Sequence, residues 1–64
     1  MELDFSVAEH GSIVIFTPLT EAARLAMDEM ELESWQFVAE GFAVDRRVAW
    51  NLLGALLENG LLVG

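Results

Sequence analysis

Residues 27–34 read MDEMELES and place four carboxylates, Asp28, Glu29, Glu31 and Glu33, within eight positions of a chain that contains no lysine. Four kinds of chemistry are conceivable there. General acid–base work needs a carboxyl whose pKa has been moved by burial or by a close partner, and an exposed helix end supplies neither. Calcium binding of the EF-hand type needs alternating oxygen ligands around an invariant glycine, which this spacing lacks. A charge run can simply keep an apolar protein dispersed. It can also be a recognition element, because carboxylates present to an arginine much what a phosphate presents.

The other reactive side chains are few. His10 is the single histidine, and a turn position accounts for it. Ser12 lies nearby, but a nucleophile needs an oriented base and an oxyanion hole, and no residue pattern supplies them. With no cysteine, there is no thiolate nucleophile, disulfide or thiolate zinc site. The five glycines are scattered and form no phosphate loop. The expectation is a non-enzyme with no catalytic residues, no metal and no cofactor.

Composition narrows the class of partner. Sixty-four residues suit a single compact domain spanning 1–64, near the lower size for folding without a staple. Hydrophobic content is 55% while the net charge is −8, from 11 acids against 3 arginines. That charge opposes direct binding to nucleic acid or to an anionic membrane, both of which require basic patches. The partner it leaves is a positively charged one, a cation, or none. The first ten residues carry acids where a secretory signal carries bases. The longest apolar runs, IVIF (13–16) and LLGALL (52–57), are far too short to span a bilayer. A soluble, cytoplasmic protein is expected.

These side chains must be positioned by short elements. In LDFSVAE (3–9), Leu3, Phe5 and Val7 alternate with Asp4 and Ser6, the period of a half-buried strand. SIVIFT (12–17) is a second strand, and a hairpin is expected to turn at His10-Gly11. Pro18 ends it, and Thr20 caps a helix over 21–32 whose apolar face holds Ala22, Ala23, Leu25, Ala26, Met27 and Met30. Arg24 is spaced to pair with Glu21 and Asp28. Trp35–Val38 and Phe42–Val44 read as short strands around Ala39-Glu40-Gly41, with one irregular strand as the alternative. Asp45 caps a helix over 46–59 with a stripe of Ala49, Leu52, Leu53, Leu56 and Leu57. Asn59-Gly60 stops that helix, with Leu61 folding back on its last turn, and 61–63 can form a last strand. The order ββαβ(β)αβ predicts an α+β fold, a small antiparallel sheet of three to five strands with two helices on one face.

Two surfaces follow. If the first strand lies beside the first helix, Glu2 and Asp4 join Asp28, Glu29, Glu31 and Glu33 in one acidic ribbon suited to a basic groove. The second strand is apolar on both faces, and Trp50 lies off the leucine stripe near Gly54 and Leu57. Val14, Phe16, Trp50 and Leu57 are therefore candidates for an apolar partner or homodimer contact; a central strand explains the same pattern without one.

His10-Gly11-Ser12, Pro18-Leu19-Thr20, Ala22-Ala23-Arg24, Trp35, Val44-Asp45, Arg47 and Gly60-Leu61 together resemble a family of small acidic phage and prophage proteins with an HGS…PLT-AAR…W…VE-R…GL pattern. The chain departs from it at Ala26-Met27, where the family helix carries a bulkier aromatic. Some similar proteins act as anti-CRISPR inhibitors of type I systems. The resemblance implies a phage-encoded protein of the bacterial cytoplasm that fills the basic DNA-binding surface of a type I surveillance complex. The alternative is a small homodimeric interaction module of phage origin without DNA mimicry.

Overall fold

The computed structural model describes residues 2–64. A four-stranded sheet has the order β1-β2-β4-β3, with β1 at Phe5–His10, β2 at Ile13–Pro18, β3 at Phe37–Val38 and β4 at Gly41–Asp45. Every neighbouring pair is antiparallel. Helix α1 (Glu21–Asp28) follows β2, and helix α2 (Arg46–Glu58) follows β4. The expected α+β architecture is present, and the last strand expected over 61–63 is reduced to a single bridge of parallel sense. The C-terminal residues run parallel to β1, where Phe5 bridges Val63.

β2 is central, paired on both edges, and one of its faces packs under the helices. Its register with β1 pairs Val7 with Phe16 and Glu9 with Val14; its register with β4 pairs Val14 with Val44 and Phe16 with Phe42. Cross-strand partners share a face, so Phe5, Val14, Phe16, Phe42 and Val44 all point toward the helices. There they meet Ala23 of α1 with Ala49 and Leu56 of α2. Phe5, Phe16 and Phe42 are fully buried. Phe16 stacks on Phe42 with ring centroids 5.4 Å apart, while Phe5 meets both edge-on at 6.3 and 6.2 Å. The opposite face of β2 carries exposed Ile13 and half-buried Ile15.

The local signals fall within a residue or so of their expected places. The hairpin turns at Gly11-Ser12 rather than His10-Gly11, since His10 already pairs with Ile13. Gly11 has φ +67° and Ser12 is not left-handed, which matches the two-residue turn that wants glycine first. Thr20 caps α1, its Oγ1 accepting from the Ala23 amide at 3.1 Å. Asp45 caps α2 by accepting from the Arg47 amide at 2.9 Å. At the far end Gly60 has φ +79°, the Leu61 amide donates to Leu56 O and the Gly60 amide to Leu57 O, each at 3.0 Å. This double bond to the last turn satisfies carbonyls the helix leaves free.

Three expectations fail. α1 ends at Asp28, not residue 32. Trp35 belongs to a single 3-10 turn over Ser34–Gln36 rather than a strand. That turn is fixed by Gln36, whose Oε1 accepts from the Glu33 amide at 2.8 Å and whose Nε2 donates to Ala43 O at 3.1 Å. Gly41 is not a turn residue; it lies in β4, where an added Cβ would sit 2.1 Å from Phe16 O. Only a residue without a side chain lets these backbones approach so closely.

Candidate acidic interface

Beyond Asp28 the chain leaves α1 through a tightened last turn, the Met30 amide donating to Met27 O at 3.1 Å and the Leu32 amide to Met30 O at 3.1 Å. Met30 and Leu32 are drawn against the core, while Glu29, Glu31 and Glu33 stay exposed. Half-buried Met30 and Leu32 are thus interleaved in the chain with exposed Glu29, Glu31 and Glu33. Cα atoms two residues apart lie at most about 7 Å from each other, so three exposed carboxylates are clustered within a short stretch, beside exposed Asp28.

The helix reinforces this cluster. Asp28 is the last residue of α1 and Glu29 its C-cap, and no basic residue occupies the last turn. The C-terminus of a helix carries the negative end of its dipole, where acids are disfavoured and cations favoured. Arg24 does not compensate: among the described residues the ion pairs are Arg46–Glu9 and Arg47–Asp45. The pairing of Arg24 with Glu21 and Asp28 expected from spacing is absent.

The expected single ribbon is divided. Asp4 lies at the other end of α1, where its Oδ1 accepts from the Thr20 hydroxyl at 2.6 Å and its Oδ2 from the Leu62 amide at 2.9 Å. An eight-residue helix is about 12 Å long, so Glu2 and Asp4 stand apart from the acids at 28–33. The Thr20 hydroxyl first, then the Leu62 amide, hold the Asp4 carboxyl below its ordinary value. Asp4 thus fastens β1, the start of α1 and the C-terminal segment together. Glu2 is exposed and joins no ion pair among the described residues.

The apolar quartet is also divided. Val14 and Phe16 are buried in the core and reach solvent only where they line a cleft, whereas Trp50 is 72% exposed and Leu57 52%. The reason is the central position of β2, which places both side chains under the helices. Trp50 borders a cleft of about 300 Å³ beside β1 that sequence reasoning did not find.

His10 ends β1 and Ser12 occupies the turn, both exposed; the Ser12 carbonyl accepts from the Arg46 amide at 2.8 Å. Among the described residues no group of three or more His, Asp or Glu could hold a metal ion. No helix there is long and apolar enough to cross a membrane. Comparison of the chain with protein-family models, curated proteins and solved structures returned no match.

Proposed function

We propose that this is a phage-encoded, anti-CRISPR-like inhibitor whose acidic surface occupies a basic DNA-binding surface of a type I CRISPR surveillance complex. One observation carries the reading. Asp28, Glu29, Glu31 and Glu33 are exposed together at the negative end of α1, with no ion pair among the described residues. A cluster kept only for solubility gains nothing from standing where the helix dipole opposes it. A surface that must compete for arginines and lysines gains field strength there.

The test is a gel-shift assay in which the protein is titrated into type I surveillance complexes and their target DNA at low and moderate salt. The expected result is loss of the shifted band, weakening as salt rises, with the inhibition abolished by Asp28→Lys, Glu29→Lys and Glu31→Lys together while the circular dichroism spectrum stays folded. Inhibition that survives the triple reversal refutes the carboxylate mechanism. The second reading, an interaction module, is favoured by exposed Trp50 and Leu57 on α2. It predicts salt-insensitive partner binding that Trp50→Ala destroys.

A further inference from the structure

β1 is paired along both edges for only half its length. Its register with β2 joins Ser6, Ala8 and His10 to Thr17, Ile15 and Ile13. Around a two-residue turn, the pair flanking the turn exchanges both hydrogen bonds, and bonding then alternates along the strands. The main-chain groups of Phe5, Val7 and Glu9 consequently point away from β2. The C-terminal segment takes the first of them: the Phe5 amide donates to Leu62 O at 3.1 Å, the Gly64 amide to Phe5 O at 3.1 Å, and the Val7 amide to Gly64 O at 2.9 Å. The next rungs, Val7 O and the amide and carbonyl of Glu9, have no partner among the described residues. Val7 and Glu9 are exposed.

The cleft of about 300 Å³ opens beside these free rungs, lined by Val7, Val14, Ala49, Trp50, Leu53 and Val63. Val63, bridged to Phe5, helps form its wall. A residue opposite Val7 or Glu9 in an added strand would share their face, as cross-strand partners do, and its side chain would enter the cleft. Hydrogen-bonding groups along an edge, with an apolar pocket for an alternate side chain, are the two requirements of recognition by strand addition.

We propose that the free half of β1 is a strand-addition site for an extended, basic segment of a partner protein, which pairs with Val7 and Glu9 and seats one large apolar side chain in the cleft. Charge selects the occupant. The chain carries −8, and Arg46 at the cleft is already engaged by Glu9. A segment rich in arginine or lysine is drawn to this body, whereas a second copy brings another −8.

The probe is a fluorescent synthetic peptide, acetyl-Lys-Arg-Leu-Arg-Leu-Arg-amide, titrated against the full chain by anisotropy. Two analogues carry N-methyl groups on alternate residues in opposite phase, and a third has serine for both leucines. Saturable binding is expected, with one methylated phase binding like the parent and the other at least tenfold weaker, and the serine peptide at least tenfold weaker. Amide shifts in heteronuclear spectra should centre on Val7–Glu9 and the Trp50 indole. Glu9→Pro, which removes the outward N–H and leaves the bonds of Ala8 and His10 to β2 in place, should weaken binding beyond Glu9→Ala, with the fold of both variants checked by circular dichroism. Equal binding by both methylated phases, shifts confined to residues 28–33, or no binding at millimolar peptide overturns the proposal. Dimers by sedimentation with the Glu9 amide already protected from exchange also overturn it, and give the edge to a second copy. Loss of the acidic-cluster inhibitor reading leaves these outcomes unchanged, because Asp28, Glu29 and Glu31 take no part in them.

Discussion

Reversing the two acids at the end of α1 should raise stability while removing the proposed activity. Asp28 closes the helix and Glu29 caps it, with no cation in the last turn. Each acid at that position costs about 0.3–1 kcal/mol, and a lysine there contributes a similar amount of the opposite sign. Exposure to solvent favours the lower end of that range, so Asp28→Lys with Glu29→Lys should stabilise by about 1 kcal/mol. The double reversal also moves the net charge from −8 to −4, which relieves self-repulsion in the same direction. For a domain this small, 1 kcal/mol shifts the melting temperature by about 4–8 °C. Thermal melts followed by circular dichroism at low salt should show that rise. In roughly 1 M salt, where the Debye length is only about 3 Å, at least half of it should vanish. An unchanged or lower melting temperature at low salt refutes the reasoning, for it means the acids do not sit in an unfavourable field. A higher melting temperature combined with lost inhibition would show that acidity is kept at the expense of stability.

Other outcomes follow from single residues. Gly41→Ala forces a Cβ against Phe16 O and should destabilise by about 1–3 kcal/mol, read as a lower urea midpoint, out of a total of roughly 3–10 kcal/mol for a chain of this length. The carboxyl of Asp4 is held below its ordinary value by Thr20 and Leu62. The stability it contributes is therefore present above that ordinary value and lost as pH falls through the lowered one. Wild type should melt above Asp4→Asn at pH 7, and melts at decreasing pH should converge below about pH 4. Trp50→Ala should change stability by no more than about 0.5 kcal/mol in chemical denaturation, because the ring is 72% exposed.

What could be read in the sequence is mostly local chemistry. Thr20, Asp45 and Gly60 mark helix ends through bonds to their own neighbours, and such signals survive any tertiary arrangement. The inward period of Phe5, Val14 and Phe16 is likewise legible once β2 is central. The end of α1 was not, because helical and extended periods overlap in MDEMELES. Met27 and Met30 fit a helix face, yet the alternation of Glu29, Met30, Glu31, Leu32 and Glu33 is the pattern that the core selects. Gly41 and Asp4 were missed for a different reason. Each answers to a partner remote in sequence, Phe16 for the glycine and Leu62 for the aspartate. The acids of the candidate site were legible as a cluster, but their division between the two ends of α1 depends on tertiary contacts alone.

The bond from the Leu62 amide to Asp4 spans 58 positions, and it orders events during synthesis. A ribosome adding about 5–20 residues per second takes roughly 3–12 s to travel from Asp4 to Leu62. Throughout that interval β1 can close its hairpin with β2, but its outer edge has no parallel neighbour and the Asp4 carboxylate lacks one of its two donors. Only when Leu62–Gly64 have emerged does β1 acquire its parallel neighbour. The edge of β1 thus stays open for the whole time that those 58 positions are being added, long after its other edge can close on β2.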